Sequence, residues 1–187
     1  MGNNRTQIVC LHEGDNGSID PLFIRTVLKA LKPAWIRWHE GSNIIRSVPC
    51  GGRKNLIDQM PGELELCLKA GGDTTLVVLA DVDDEPKDPD ALREMFWNKA
   101  EQAGISRDQF ETVVFILPRD RLENWIEFLE TGETDEAIEG KRVKYPKQAS
   151  DAAKELASRC QGKSGPALPP SLDWSCKNWR DLCKRMS

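Results

Sequence analysis

Thr74-Thr-Leu-Val-Val-Leu-Ala-Asp81-Val-Asp83 is the stretch on which the fold turns. The run from Leu76 to Ala80 is apolar without interruption and far too short to cross a bilayer. That is what a strand buried on both faces of a parallel sheet requires. It stops at an acidic loop, after which Asp88-Pro89 offers a helix entry, with Asp as N-cap and Pro at the first helical position. Leu92, Met95, Phe96 and Ala103 carry that helix to Gly104, and Phe110 to Leu117 predicts a further buried strand ending at Pro118. Leu122, Trp125, Ile126 and Leu129 then share one helical face up to Gly132.

Upstream the same alternation holds. Gln7 to His12 predicts a strand, Glu13 to Gly17 a loop, and Asp20-Pro21 a helix running to Lys32-Pro33. Ala34-Trp-Ile-Arg-Trp-His39 predicts a second strand, and Gly51-Gly52 introduces a helix from about Arg53 to Ala70, interrupted or kinked near Pro61. Strand and helix in alternation predict an α/β fold: a Rossmann-like, mainly parallel sheet of about four strands, flanked by helices and joined by right-handed crossovers. The main domain is expected over residues 1–132. Residues 133–187 read as a helical extension packed on it, with helices from about Ala149 to Cys160 and across the final residues, where Trp179, Leu182, Cys183 and Met186 fall on one face.

A length of 187 residues fits one domain of ordinary size. The six cysteines have no C-x-x-C spacing, which argues against a zinc ribbon and for structural thiols. No run approaches the length of a membrane span and the first residues are polar, so a cytoplasmic protein without membrane contact is expected. The net charge of −4 disfavours nucleic-acid binding by general basicity. That charge is local, however: Asp81, Asp83, Asp84, Glu85, Asp88 and Asp90 stand against Lys87 alone, leaving 25 of the 26 basic and 24 of the 30 acidic residues elsewhere.

Ligands of open parallel sheets bind beyond the carboxyl ends of the strands. Glu13 ends the first strand, Asp81 and Asp83 end the third, and Glu123 lies just beyond the fourth. Positions 81 and 83 of an extended segment point the same way, and two adjacent carboxylates are best relieved by a hard dication. Asp84, Asp88 and Asp90 read instead as solvated or helix-capping acids.

An apolar strand closing in Glu13-Gly14, a helix, and a later strand closing in Asp81-Val-Asp83 together resemble the Toprim fold of topoisomerases, bacterial primases, RNase M5-type maturases and OLD nucleases. The resemblance spans about Gln7 to Leu129. It implies magnesium, with manganese as an alternative, held by Asp81 and Asp83. Glu13 becomes general acid/base or metal ligand, Glu85 the third position of an extended acidic pattern, and Glu123 a candidate last ligand by position. Tyr145, the only tyrosine, sits in a polar segment of a single-domain chain, so strand passage is not expected.

Phosphate contacts are assigned to Arg53 and Lys54 after the paired glycines and to Arg119 and Arg121 at the fourth strand end. Further candidates are Lys141, Arg142, Lys144 and Lys147, and Lys177, Arg180 and Lys184 in the last helix. Trp174 and Trp179 are candidate base-stacking residues, while His12 alternates away from Glu13 and reads as a packing or hydrogen-bonding residue. The expectation is a metal-dependent nuclease acting on DNA or RNA, in a prokaryotic defence (anti-phage) or toxin setting and with an ATPase partner implied by the resemblance. The alternatives are a non-catalytic module that docks such a partner through the Trp179 face, and a nucleotide-binding or nucleotidyl-transferring enzyme.

Overall fold

A computed structural model describes residues 7–15, 17–31, 45–71, 74–139, 143 and 146–185, with side chains through residue 181. Four strands, β1 (Gln7–His12), β2 (Ile45–Pro49), β3 (Thr74–Leu79) and β4 (Val114–Ile116), form an all-parallel sheet in the order β2-β1-β3-β4. The helices are α1 (Asp20–Leu31), α2 (Arg53–Ala70), α3 (Pro89–Gln102), α4 (Arg107–Phe110), α5 (Leu122–Thr131), α6 (Pro146–Cys160) and α7 (Pro170–Arg185).

Strand alternation explains the two cores. Ile8, Cys10, Val77, Leu79, Val114 and Ile116 pack against α1, α5, α6 and α7, while Val9, Leu11, Leu76, Val78 and Phe115 pack against α2, α3 and α4. The uninterrupted apolar run of β3 follows from this: it is covered on both sides, and Leu76 to Leu79 are 2% exposed or less. The chain leaving β1 turns to one face and the chain leaving β3 turns to the other. A crevice therefore opens at the carboxyl ends of these two neighbouring strands, the place where open α/β sheets bind their ligands.

Local chemistry sets the element boundaries. Asp88 caps α3 by accepting from the Ala91 amide at 2.8 Å, with Pro89 behind it, and α2 starts at Arg53 and runs through the buried Pro61 as one helix. The fourth strand is shorter than the sequence predicts. Ser106 forms a capping box with Gln109, which winds 107–110 into α4 and leaves only Val114 to Ile116 as strand. The strand β2 lies outside the predicted segment, and Ala34–His39 falls outside the described residues.

Seen from α7, the edge strand β4 explains why the C-terminal helix is where it is. Even-numbered residues of β4 and its continuation bond inward to the β3 chain: the Ala80 amide donates to Ile116 O and the Val82 amide to Pro118 O. Odd-numbered residues point outward, where no strand follows among the described residues. There Ser175 Oγ accepts from the Leu117 amide, Ser171 Oγ accepts from the Arg119 amide, each at 3.1 Å, and Asn178 Nδ2 donates to Phe115 O at 2.9 Å. Spaced by four and three residues, these three side chains share one helical face and close an otherwise unpaired edge. The Ser171 hydroxyl also accepts from Trp125 Nε1 and donates to Glu136, using its full capacity.

Ser175→Ala is accordingly expected to strand the buried Leu117 amide, at a cost of about 1–3 kcal/mol. A fall of several degrees in melting temperature and faster hydrogen exchange at Leu117 would be the measured signs, and an unchanged exchange rate there would show that the edge is not held this way. Trp179 is fully buried in the sheet–helix core, so neither base stacking nor partner docking through that side chain survives. Its burial follows from α7 lying along β4. Trp174 is partly exposed and donates to Asp90 Oδ1 at 3.0 Å.

A carboxylate cluster at the strand ends

The paired glycines bring the first cation to the site. Gly51 and Gly52 have φ of 68° and 119°, conformations that favour glycine. They let the chain turn so that the Cys50 amide donates to His12 O and the Gly52 amide to Glu13 O, both at 2.9 Å. The entry to α2 is thereby pinned to the end of β1, and Arg53 is held against Glu13. Gly14 is fixed for a different reason: a Cβ there would meet Ser18 Cβ at 2.5 Å, so any side chain would displace the turn that leads into α1.

Arg53 ties the predicted carboxylates together. Its Nε donates to Glu13 Oε1 at 3.4 Å and its Nη2 to Asp83 Oδ2 at 2.5 Å and to the Asp81 backbone carbonyl at 2.7 Å, while Nη1 reaches Glu85 O at 3.2 Å. Glu13 Oε1 also accepts from the Asp81 amide at 3.2 Å. Glu13, Asp81 and Asp83 thus share one neighbourhood, but not one orientation. Val82 is buried and bridges to Arg119, Asp81 is partly buried beside Glu13, and Asp83 is exposed. Glu85 joins through its backbone carbonyl, with an exposed side chain. Glu123, in the first turn of α5, raises the pKa of Asp81 through its charge.

Burial, followed by the charges of Glu13, Asp20, Glu123 and Asp83, pushes the Asp81 carboxyl up to about 8. Arg53 bonds the backbone of Asp81 and not its carboxylate. For Glu13 burial again raises the pKa and outweighs the opposing charge and hydrogen bond of Arg53. Asp20 is a member that sequence reading treated only as a helix cap. Besides acting on Asp81, it lies 3.4 Å from Nδ1 of the fully buried His12, whose Nε2 meets Ser47 Oγ at 2.7 Å. The signal available was its place at the first helix after a strand ending in Glu.

The other predicted cations are placed differently. Arg119 spans the acidic loop, donating to Asp83 O at 2.9 Å, to Lys87 O and to Asp84 Oδ1 at 3.2 Å. Asp120, at φ 63°, makes the turn that aims it there, and Asn124 holds the turn by donating to Arg119 O and Ile138 O. Arg121 pairs with Asp120 and Glu139, away from Glu13. Lys54, Lys147, Lys177 and Arg180 are exposed; Lys141, Arg142 and Lys144 fall outside the described residues, as does the side chain of Lys184. An open cleft of about 430 Å³ adjoins the cluster, lined in part by Val82, Asp83, Asp84, Glu85, Arg119 and Glu136.

The side chains whose charges act on Asp81, those of Glu13, Asp20, Glu123 and Asp83, are all carboxylates, oxygen donors that suit a hard dication over a softer transition metal. Among the described residues, no three carboxylate, imidazole or thiol side chains are already arranged to hold a metal ion. The cluster as it stands is bridged by a guanidinium, with Glu13 and Asp83 at its two ends. Among those residues, too, no helix is long and apolar enough to cross a membrane. Comparison with protein families, with curated proteins and with solved structures finds no match for this chain.

Proposed function

We propose that this protein is a Toprim-like, magnesium- or manganese-dependent phosphodiester hydrolase acting on nucleic acid. The observation that carries the reading is Asp81: a carboxyl at the topological switch point, raised to about 8 by burial and by Glu13, Asp20, Glu123 and Asp83 around it. Such crowding is costly in a structural role and useful where a dication binds. Asp81, Asp83 and Glu13 would hold the metal, with Glu123 and Glu85 at its margin. When bound, it neutralises phosphate charge and lowers the pKa of water.

The chain's own groups have the remaining tasks. Glu13, whose partial burial raises its pKa against the opposing charge of Arg53, is suited to hold and pass on a proton. Arg53, bridging Glu13 and Asp83, sets a positive charge at the crevice where a phosphate would bind, and Lys54 stands exposed one residue further along α2. Arg119 keeps the acidic loop folded. A cytoplasmic setting belongs to the same proposal, and an ATPase partner and a role in prokaryotic defence extend it by resemblance.

The test is a thermal titration with magnesium and manganese, run beside cleavage assays on single- and double-stranded DNA and RNA. A metal-dependent rise in melting temperature together with cleavage is expected, and both should disappear in the Asp81→Asn, Asp83→Asn double variant. The competing reading, a binding module without catalysis, is favoured by Arg53, which already supplies Glu13 and Asp83 with a counter-charge. It is the correct one if neither metal changes stability and no nucleic acid is cut.

A further inference from the structure

Two thiols meet far from the carboxylate cluster. Cys160 is the last residue of α6 and is partly exposed, Cys176 lies in α7 and is 1% exposed, and their sulfur atoms are 3.6 Å apart. Three other described cysteines, Cys10, Cys50 and Cys67, are buried in the cores. Closing 3.6 Å to a sulfur–sulfur bond of about 2.05 Å asks for a movement that side-chain rotation can supply. The chain between them includes the exposed segment 161–167, which gives the backbone room to follow.

We infer that Cys160 and Cys176 form a dithiol modification site that hydrogen peroxide converts to a disulfide, fastening α7 to α6. The reaction divides between the two by their surroundings. The sulfur of Cys160, the more exposed residue of the two, attacks one peroxide oxygen; an S–O bond forms, the O–O bond breaks, and the departing hydroxide takes up the thiol proton as water. The sulfur of Cys176 then attacks that sulfenic sulfur, the S–S bond forms, the S–O bond breaks, and hydroxide leaves with the proton of Cys176 as a second water. Two thiols are oxidised and one peroxide is reduced to two waters. The hydrogen bond from Cys176 and then the charge of Arg180 favour the Cys160 thiolate against the opposing effect of burial, while the Cys176 thiol is raised, first by its bond to Cys160 and then by burial.

The consequence lies at the sheet edge. Cys176 follows Ser175, and Ser171, Ser175 and Asn178 are the groups that close β4. A bond at 176 therefore holds the edge-closing face of α7 in register. Closing a loop of this length is expected to raise the melting temperature by roughly 5–10 °C.

The experiment uses the full chain, treated with a small molar excess of hydrogen peroxide, alkylated and digested with trypsin without reduction. The expected product joins peptide 160–163 to peptide 164–177, two hydrogens lighter than their sum, and appears with the rise in melting temperature; dithiothreitol reverses both. Cys160→Ser should abolish both changes. Cys176→Ala should do the same, so that failure of one variant to fold leaves the test intact. Peptide 164–177 linked instead to the Cys183 peptide 181–184 or to a second chain, a sulfinate at Cys160 without cross-linking, or a cross-link with no gain in melting temperature would each overturn the inference. It does not depend on the catalytic proposal, and none of its readouts measures cleavage.

Discussion

Glu13→Gln is expected to lower metal-dependent cleavage by about 10²–10⁴-fold while leaving the fold in place. The substitution is chosen because the local structure tolerates it. Glu13 Oε1 accepts from the Asp81 amide and from Arg53 Nε, and the carbonyl oxygen of glutamine can accept both. What disappears is the ionisable carboxyl, whose pKa burial holds above the usual glutamate range despite Arg53 beside it. A melting temperature within a few degrees of the parent, with single-turnover cleavage at saturating metal reduced by two orders of magnitude or more, would place the carboxyl in the chemical step; a loss that higher metal concentration restores would place it on the metal. Cleavage at the parent rate would remove Glu13 from the chemistry and leave Asp81 and Asp83 to account for it.

The parts of the fold legible in the sequence are those whose residues are decided locally. Leu76 to Ala80 reads as a strand because both its faces are covered, and Asp88-Pro89 reads as a helix start because the cap and the fixed proline φ act within a few residues. The strand β2 escaped because it is an edge strand: of Ile45-Arg-Ser-Val-Pro49 only Ile45 is buried, and the segment shows no apolar run. The last helix was legible as amphipathic, but not where its faces go. The face carrying Trp179 fits either packing on the domain or docking to a partner, and the open side of β4 decides for packing; the polar face that closes that edge, Ser171, Ser175 and Asn178, has no hydrophobic signature at all.

The candidate site divides in the same way. Glu13 and Asp81 are visible as acids at strand ends, but their contact depends on β1 and β3 being neighbours, which no spacing in the chain specifies. Arg53 was read as a phosphate ligand from its place after two glycines, and it bridges Glu13 and Asp83 because those glycines pin α2 to the end of β1. Asp20 was hidden by its other role, since an aspartate before proline is sufficiently explained as a helix start. Its place at the start of α1, just past the end of β1, makes it a neighbour of Asp81 only because β1 and β3 lie side by side.

Asp81→Asn should show how much the cluster costs the metal-free protein. The unfolded chain releases the Asp81 proton near 3.8, and the folded protein retains it to about 8. Between those values the native state binds more protons than the unfolded state, so this group's contribution to stability is complete below 3.8 and is lost as pH rises through about 8. Asparagine does not titrate and lacks that slope. At pH 8 in a chelator the variant should be more stable than the parent by on the order of 2–4 kcal/mol, or roughly 5–15 °C in melting temperature, with the two converging near pH 4. Magnesium should close the gap at pH 8 by raising the parent and not the variant, because a cation that occupies the cluster stabilises only the chain that keeps the carboxylate. Equal stability of parent and variant at pH 8 without metal would mean that Arg53 already relieves Asp81 along with Glu13 and Asp83, and the strongest physical reason for a metal at this sheet edge would be gone.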